Sequence, residues 1–557
     1  MNAAAAEPRD RAAVWAQRIL RGMTLEEKVG QLFVADVWGK AADVAAPSNR
    51  TKYGVDTPAQ VVERFHPGGV IYFNTSGTDN VDDPAQVARL SNGLQRAALG
   101  SGAHVPLLVS TDQESGRVTR IGAPATEFPS SMAVGARRSA ADARQLAAIN
   151  GQELRAMGIN QDFAPDADVN SNPLNPIIGS RSFSSDPALA SRLVAAGVDG
   201  YQQSVSVAAK HFPGHGDAAT DSHTGLPVIT HTAAHWRATE LPPFRAAIDA
   251  GTDVIMTAHI TVPSLDPSGE PATLSKPIIT GILRDELHYD GVVVTDSLQM
   301  AGVRQKHSDA EIPVLALEAG VDQMLMPPDL DVAINGVLDA VKSGRLTEAR
   351  IDQSVQRILE LKSRRGIVAA PFVATPQVGT PRHRAAVQEI TDRTTTVLRN
   401  DANLLPLKDP GNIVVTGWNN PAYPGYPAEP VATLAADLDG SAVSTGANPT
   451  AAQLDAAVTA ANGADTVVVL TNGLRTSEPQ RTLVTRLLAT GKPVIAVAVQ
   501  EPYDPGYADV PTWIATYDWR DVTIRSLAKV LLGTVSPQGK LPVTIPDAYP
   551  FGAGLTW

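Results

Sequence analysis

The sequence predicts an α/β protein: a (β/α)8 TIM-like barrel over residues 1–370, a linker over 371–385, and a smaller α/β sandwich domain over 386–557. Three observations carry this expectation. The 557 residues are too many for one ordinary hydrophobic core. Eight short, apolar, β-branched runs recur between residues 29 and 328, most of them separated by Ala- and Leu-rich helical patterns. A stretch with repeated Pro, Val and Ala over 366–382 then interrupts the alternation and reads as a connection between two folded units.

The eight runs lie at 30–37, 69–73, 105–111, 162–169, 205–210, 253–258, 291–295 and 321–326. Near-continuous apolar strands of this kind suit a parallel sheet that is covered on its faces. Helical patterns at 84–98, 140–157, 187–203 and 241–250 supply the crossovers, and eight such units are the count of a closed barrel. A helix over 347–364 closes the region. Beyond the linker, a helix is expected over 384–398, followed by Asn403-Leu404-Leu405-Pro406-Leu407. Strand-like runs then occur at 413–416, 466–470, 493–499 and 512–517 with helices between them.

Composition excludes several classes of function. The chain is 43% hydrophobic and 19% charged and contains no apolar run long enough to span a bilayer. A net charge of −12 without a basic stripe argues against nucleic acid or an anionic membrane as partner, since both demand clustered Lys and Arg. A small substrate fits better. Cysteine is absent, which removes disulfides, thiolate metal sites and a cysteine nucleophile together. The start, Met1-Asn2-Ala3-Ala4-Ala5-Ala6-Glu7-Pro8, has no signal-peptide pattern but looks like the Ala-rich stretch that follows a cleavage site. An extracellular or cell-envelope enzyme with its signal removed is therefore expected, a cytoplasmic one being the alternative.

Chemistry concentrates in three segments. Lys210-His211-Phe212-Pro213-Gly214-His215-Gly216-Asp217 and then Asp221-Ser222-His223 leave the carboxyl end of the fifth run, the end at which barrel enzymes keep their active sites. Asp296 follows the seventh run directly, and the residues alone leave it as either a nucleophile or a helix cap. Thr111 to Arg120 carries a high density of charge after the third run, where Asp112 can accept from two hydroxyls at once. Two segments are decoys. Asp166-Ala167-Asp168-Val169-Asn170 begins like a calcium loop but has Ser171 at the required glycine and Ile177 at the required glutamate. His231 and His235 have metal-ligand spacing without an accompanying Glu. The rival reading from residues alone is a metal-dependent barrel hydrolase with His211, His215, His223, His259 and Asp296 near strand ends.

The 210–223 segment resembles the signature of bacterial β-N-acetylhexosaminidases of glycoside hydrolase family 3. Asp-Ser-Leu-x-Met at 296–300 is similar to that family's nucleophile motif, and 403–407 to the junction of its two-domain members. The resemblance implies a retaining mechanism with Asp296 as nucleophile, His223 as proton donor and Asp221 fixing the imidazole tautomer. It assigns Asp112, Arg120, Arg181, Lys210 and His211 to the sugar pocket. At Ser115 family members commonly carry Gly. The expected activity is that of an exo-acting β-N-acetylglucosaminidase on peptidoglycan fragments or chitin oligosaccharides, monomeric, with no metal or cofactor. The second domain is expected to pack on the barrel without donating the acid, unlike that of two-domain β-glucosidases. Transfer to phosphate instead of water, and a non-catalytic sugar-binding protein, are the remaining alternatives.

Overall fold

The computed structural model describes residues 8–409 and 411–557, so Met1–Glu7, on which the export expectation rests, lies outside the described residues. Eight strands form the first sheet: β1 (Phe33–Asp36), β2 (Gly69–Tyr72), β3 (Leu108–Thr111), β4 (Gln161–Asp162), β5 (Ser206–Phe212), β6 (Val254–Thr257), β7 (Val292–Thr295) and β8 (Met324–Leu325). Their order is β7-β6-β5-β4-β3-β2-β1-β8 and every pairing is parallel. The ring is completed by a parallel bridge from Val294 to Gln323, with the Thr295 N–H donating to the Gln323 carbonyl at 3.0 Å. The fold is thus the expected barrel. Its strands are buried along their length, and Val292-Val293-Val294-Thr295 is the one that is β-branched throughout.

Three expectations need correction. The run at 162–169 keeps only Gln161–Asp162 as regular strand, because Pro165 has no N–H for the ladder; a single bridge from Asp166 to Lys210 follows. The first run begins late, since Thr24 and Glu27 form a capping box that makes Leu25–Gln31 a helix. The helix expected over 384–398 is Pro381–Thr391, and the β-branched residues after it form strand β9 (Thr396–Asn400) instead.

The second sheet adds β10 (Ile413–Gly417), β11 (Ser441–Ser444), β12 (Thr466–Thr471), β13 (Val494–Ala498) and β14 (Thr512–Ala515) in the order β11-β10-β12-β13-β14-β9. Only β9 runs antiparallel. Along β12, Val467 and Val469 enter one apolar cluster while Val468 and Leu470 enter the other, so helices cover both faces. Met132, Ala133 and Ala136 from the barrel helix Ser131–Arg137 join the first of these clusters, which welds the two units together. Among the described residues no helix is long and apolar enough to cross a membrane.

Candidate active site

A cavity of about 390 Å³ opens at the carboxyl ends of the barrel strands. Asp112, Arg120, Arg181, Lys210, His211, His223 and Asp296 line it, and Asp221 stands behind His223. The barrel topology explains the convergence: Asp112 follows β3, Lys210 and His211 lie in β5, and Asp296 follows β7. Residues 98 positions apart in sequence become hydrogen-bonded neighbours.

Asp296 is held at the end of its strand by its own N–H, which donates to the Thr257 carbonyl at 3.2 Å. Its Oδ1 accepts the Ser297 N–H at 2.7 Å. Burial pushes this carboxyl up, but the electrostatic influence of the neighbouring His211 and His259 rings, then the Ser297 N–H, outweighs burial and holds it below its ordinary value. The group is therefore an anion facing the cavity. Behind it, His259 donates Nε2–H to the Ser297 carbonyl at 3.0 Å and rests its Nδ1 against the Thr273 hydroxyl at 2.8 Å.

The pocket floor is a charge cluster organised by Glu114, a residue for which sequence reasoning found no role. Its carboxylate takes a two-pronged contact from Arg181, Nε to Oε2 at 2.7 Å and Nη2 to Oε1 at 2.8 Å, and a third from Lys210 Nζ at 2.5 Å. Lys210 also donates to Asp112 Oδ1 at 2.9 Å, and Arg120 Nη2 lies 3.8 Å from Asp112 Oδ2 while its guanidinium stacks on Phe73. Burial alone pushes the Glu114 carboxyl up; the Arg181 and Lys210 cations reverse this and hold it well below the usual carboxylate range. A second unread residue is Asp168. It accepts His211 Nδ1–H at 2.7 Å and the His215 backbone N–H at 2.6 Å, which leaves His211 Nε2 facing Arg181 at 3.2 Å. The segment dismissed as a calcium loop thus orients a pocket histidine. Its carboxylates carried the signal, but only the fold brings them to His211.

His223 stands on an exposed loop, with Nδ1 2.7 Å from Asp221 Oδ1, which also accepts the His223 backbone N–H at 2.8 Å. The loop is tied down from two sides. His215 Nε2 meets the Ser222 hydroxyl at 2.9 Å, and burial pushes the His215 imidazole down to about 4. From below, the Gly302 N–H donates to the Ser222 carbonyl at 3.1 Å. Gly302 is required there: a Cβ would stand 2.9 Å from the Gly225 carbonyl, 3.0 Å from that of Ser222 and 3.1 Å from that of His259.

The histidines of the metal reading are engaged by protein groups, as described for His211, His215, His223 and His259. Asp166, Asp168 and His211 do bring ligand atoms within 4.8 Å of one another, yet Asp168 is already spent on N–H donors. Burial, and then the Asp168 charge, pushes the Asp166 carboxyl well up. His231 and His235 meet edge-on with ring centres 4.0 Å apart, His231 Nε2 being 2.9 Å from Asp217 Oδ2. Ser115 adopts φ +84°, which is the backbone reason for a glycine at that place.

A parallel barrel whose mouth gathers charged side chains around a buried carboxylate has the layout of a glycoside hydrolase. Residues 24–361 match the N-terminal domain of glycosyl hydrolase family 3 and residues 395–551 match its C-terminal domain. The chain belongs to that family. Beta-hexosaminidase A of Pseudoalteromonas piscicida is 36% identical over 426 residues, 70% of each chain. The beta-N-acetylglucosaminidase/beta-glucosidase of Cellulomonas fimi is 30% identical over 412 residues, 72% of this chain and 68% of that one. The solved family 3 beta-N-acetylglucosaminidase from a Paenibacillus species superimposes with a TM-score of 0.86 at 37% identity, covering 94% of this chain and 99% of that one.

Proposed function

We propose that the protein is a retaining exo-β-N-acetylglucosaminidase acting on terminal β-linked GlcNAc of peptidoglycan fragments or chitin oligosaccharides. The observation that carries this reading is that the anionic Asp296 and the Asp221-paired His223 line one cavity together with the Glu114 charge cluster. Lys210, Asp112, Arg120, Arg181 and His211 bind the sugar hydroxyls, and Met256, Met300 and Leu325 offer an apolar wall that an acetamido methyl can take.

In the first step an Asp296 oxygen attacks the anomeric carbon as its bond to the leaving oxygen breaks, and His223 Nε2–H protonates that oxygen. Asp221 holds Nδ1–H throughout, so Nε2 is the atom that gives and later takes the proton. In the second step Nε2 removes a proton from water, the hydroxide oxygen bonds to the anomeric carbon, and Asp296 is released with net retention.

The test is a panel of aryl glycosides and disaccharides with the product anomer followed by NMR. The expected result is faster turnover of the β-N-acetylglucosaminide than of the β-glucoside, β-configured initial product, and full activity after exhaustive EDTA treatment. An α product, or loss on chelation restored by zinc, would defeat the reading; a sugar 1-phosphate formed in phosphate buffer would make the enzyme a phosphorylase.

The acid limb offers a further check. Asp296 has a lowered pKa, so its reactive anion persists as pH falls until that lowered value is reached. The acid limb of kcat/KM, which reports the free enzyme, is expected below about pH 4, the ordinary aspartate value. A limb near pH 6 would show that another group governs activity.

A further inference from the structure

We propose that Arg520 and Glu501, both from the sandwich domain, are positioning residues for the sugar pocket; the inference rests on the reading of this cavity as the glycosidase site. Among the described residues none lining the cavity lies beyond Met326, so what the second domain contributes acts through barrel residues. The two pocket groups that grip each other, Glu114 and Arg181, both sit on short turns.

The Glu114 turn passes through Ser115 at φ +84° and Gly116 at φ +57°. It is closed internally by the Ser115 N–H to the Val118 carbonyl and by the Thr119 hydroxyl to the Gly116 carbonyl, each 3.1 Å. Arg520 adds the outer grip, donating to the Gly116 carbonyl from Nε at 2.8 Å and from Nη2 at 2.5 Å. Arg520 is 2% exposed, and its guanidinium centre lies 3.4 Å from the middle of the Tyr426 ring. The Arg520 N–H is fixed in turn by Asp518 Oδ1 at 2.7 Å, while Asp518 Oδ2 accepts the barrel's Ser130 N–H at 2.6 Å. A planar fork buried in this way has one position, and so has the turn it holds.

Arg181 ends the short helical turn Gly179–Arg181. Glu501 Oε1 accepts the Ser180 N–H at 3.1 Å and lies 3.9 Å from Nη1 of Arg117, which lines the cavity. The fit is close: Gly179 has φ +47°, and a Cβ on it would stand 2.3 Å from Glu501 Oε1. The second domain therefore holds the outer side of both turns whose inner sides carry the Glu114–Arg181 pair. A displacement of about 1 Å in such a pocket costs on the order of 10²-fold in rate.

The full chain is assayed with Glu501→Ala, Glu501→Gln, Arg520→Lys and Arg520→Leu, using a dinitrophenyl glycoside and a disaccharide, and rates are normalised to the folded fraction by circular dichroism. Glu501→Ala is expected to lower kcat/KM by roughly 10- to 100-fold with KM raised, equally for both substrates, and Glu501→Gln to restore most of the loss because its amide oxygen still accepts the Ser180 N–H. Arg520→Leu should lose more than Arg520→Lys, and if it does not fold the Glu501 pair decides. Folded Glu501→Ala and Arg520→Lys enzymes with normal kcat/KM, or losses that vanish on normalisation, would overturn the proposal. An active Asp296→Ala enzyme would instead defeat the underlying reading of the cavity, so the two failures are told apart.

Discussion

Asp296→Ala is expected to lower turnover by at least roughly 10⁴-fold while leaving the fold intact, because in the proposed mechanism it removes the atom that bonds to the anomeric carbon. The side chain makes one hydrogen bond, to the adjacent Ser297 N–H, and does not belong to the Glu114 cluster, so its loss leaves no buried cation unpaired. Thermal unfolding of the variant should therefore stay within a few degrees of the parent, about the shift that 1 kcal/mol produces. Excess azide can enter from the emptied face and give an inverted product, but it cannot restore retention, which needs two displacements at one carbon. Near-normal turnover in a folded Asp296→Ala enzyme, measured on the dinitrophenyl glycoside, would remove Asp296 from the mechanism.

His223→Ala is the second large effect, and its size depends on the leaving group. General acid catalysis contributes about 10² to 10⁴ when the departing oxygen needs a proton and little when it does not. For a disaccharide, glycosylation should fall by that range; for dinitrophenolate it should fall far less. Deglycosylation should slow for both, because the same Nε2 then activates water. His223 exposes more than half of its side chain, so truncation costs little packing and the losses read as chemistry. Asp221→Asn should give a milder version, since the ring remains but the acceptor that fixes Nδ1–H is weakened. Pre-steady-state rates on both substrates provide the measurement, and equal glycosylation losses on the two would assign His223 to pocket shape alone.

The barrel was legible because its signal is local and repeated. Residues 292–295 read as strand from their own side chains, and so did most of the other runs. β11 was not legible, since Ser441-Ala442-Val443-Ser444 is a largely exposed edge with almost no apolar content. β9 was hidden in a helical pattern whose β-branched residues follow directly. The eight candidate site residues share one region because each lies at a strand's carboxyl end or on the loop that follows one. Glu114 and Asp168 were invisible as functional groups for a different reason: their partners, Arg181 and Lys210 for one and His211 for the other, lie 43 to 96 positions away, and a carboxylate's meaning comes from what faces it. Arg520 and Glu501 lie further still, in another domain.

The contact at Gly302 has a mechanical consequence. Ala301 and Gly302, only a few residues after Asp296, donate to the carbonyls of His223 at 3.3 Å and Ser222 at 3.1 Å. The loop that carries the imidazole is thus latched to the stretch of chain that issues from the carboxylate, and it cannot swing aside as a free flap without unfastening that latch. Admission of substrate and departure of product must either thread past a fixed imidazole or drag along the segment after Asp296, so His223 and Asp296, the acid and nucleophile of the proposed mechanism, are tied together as one part.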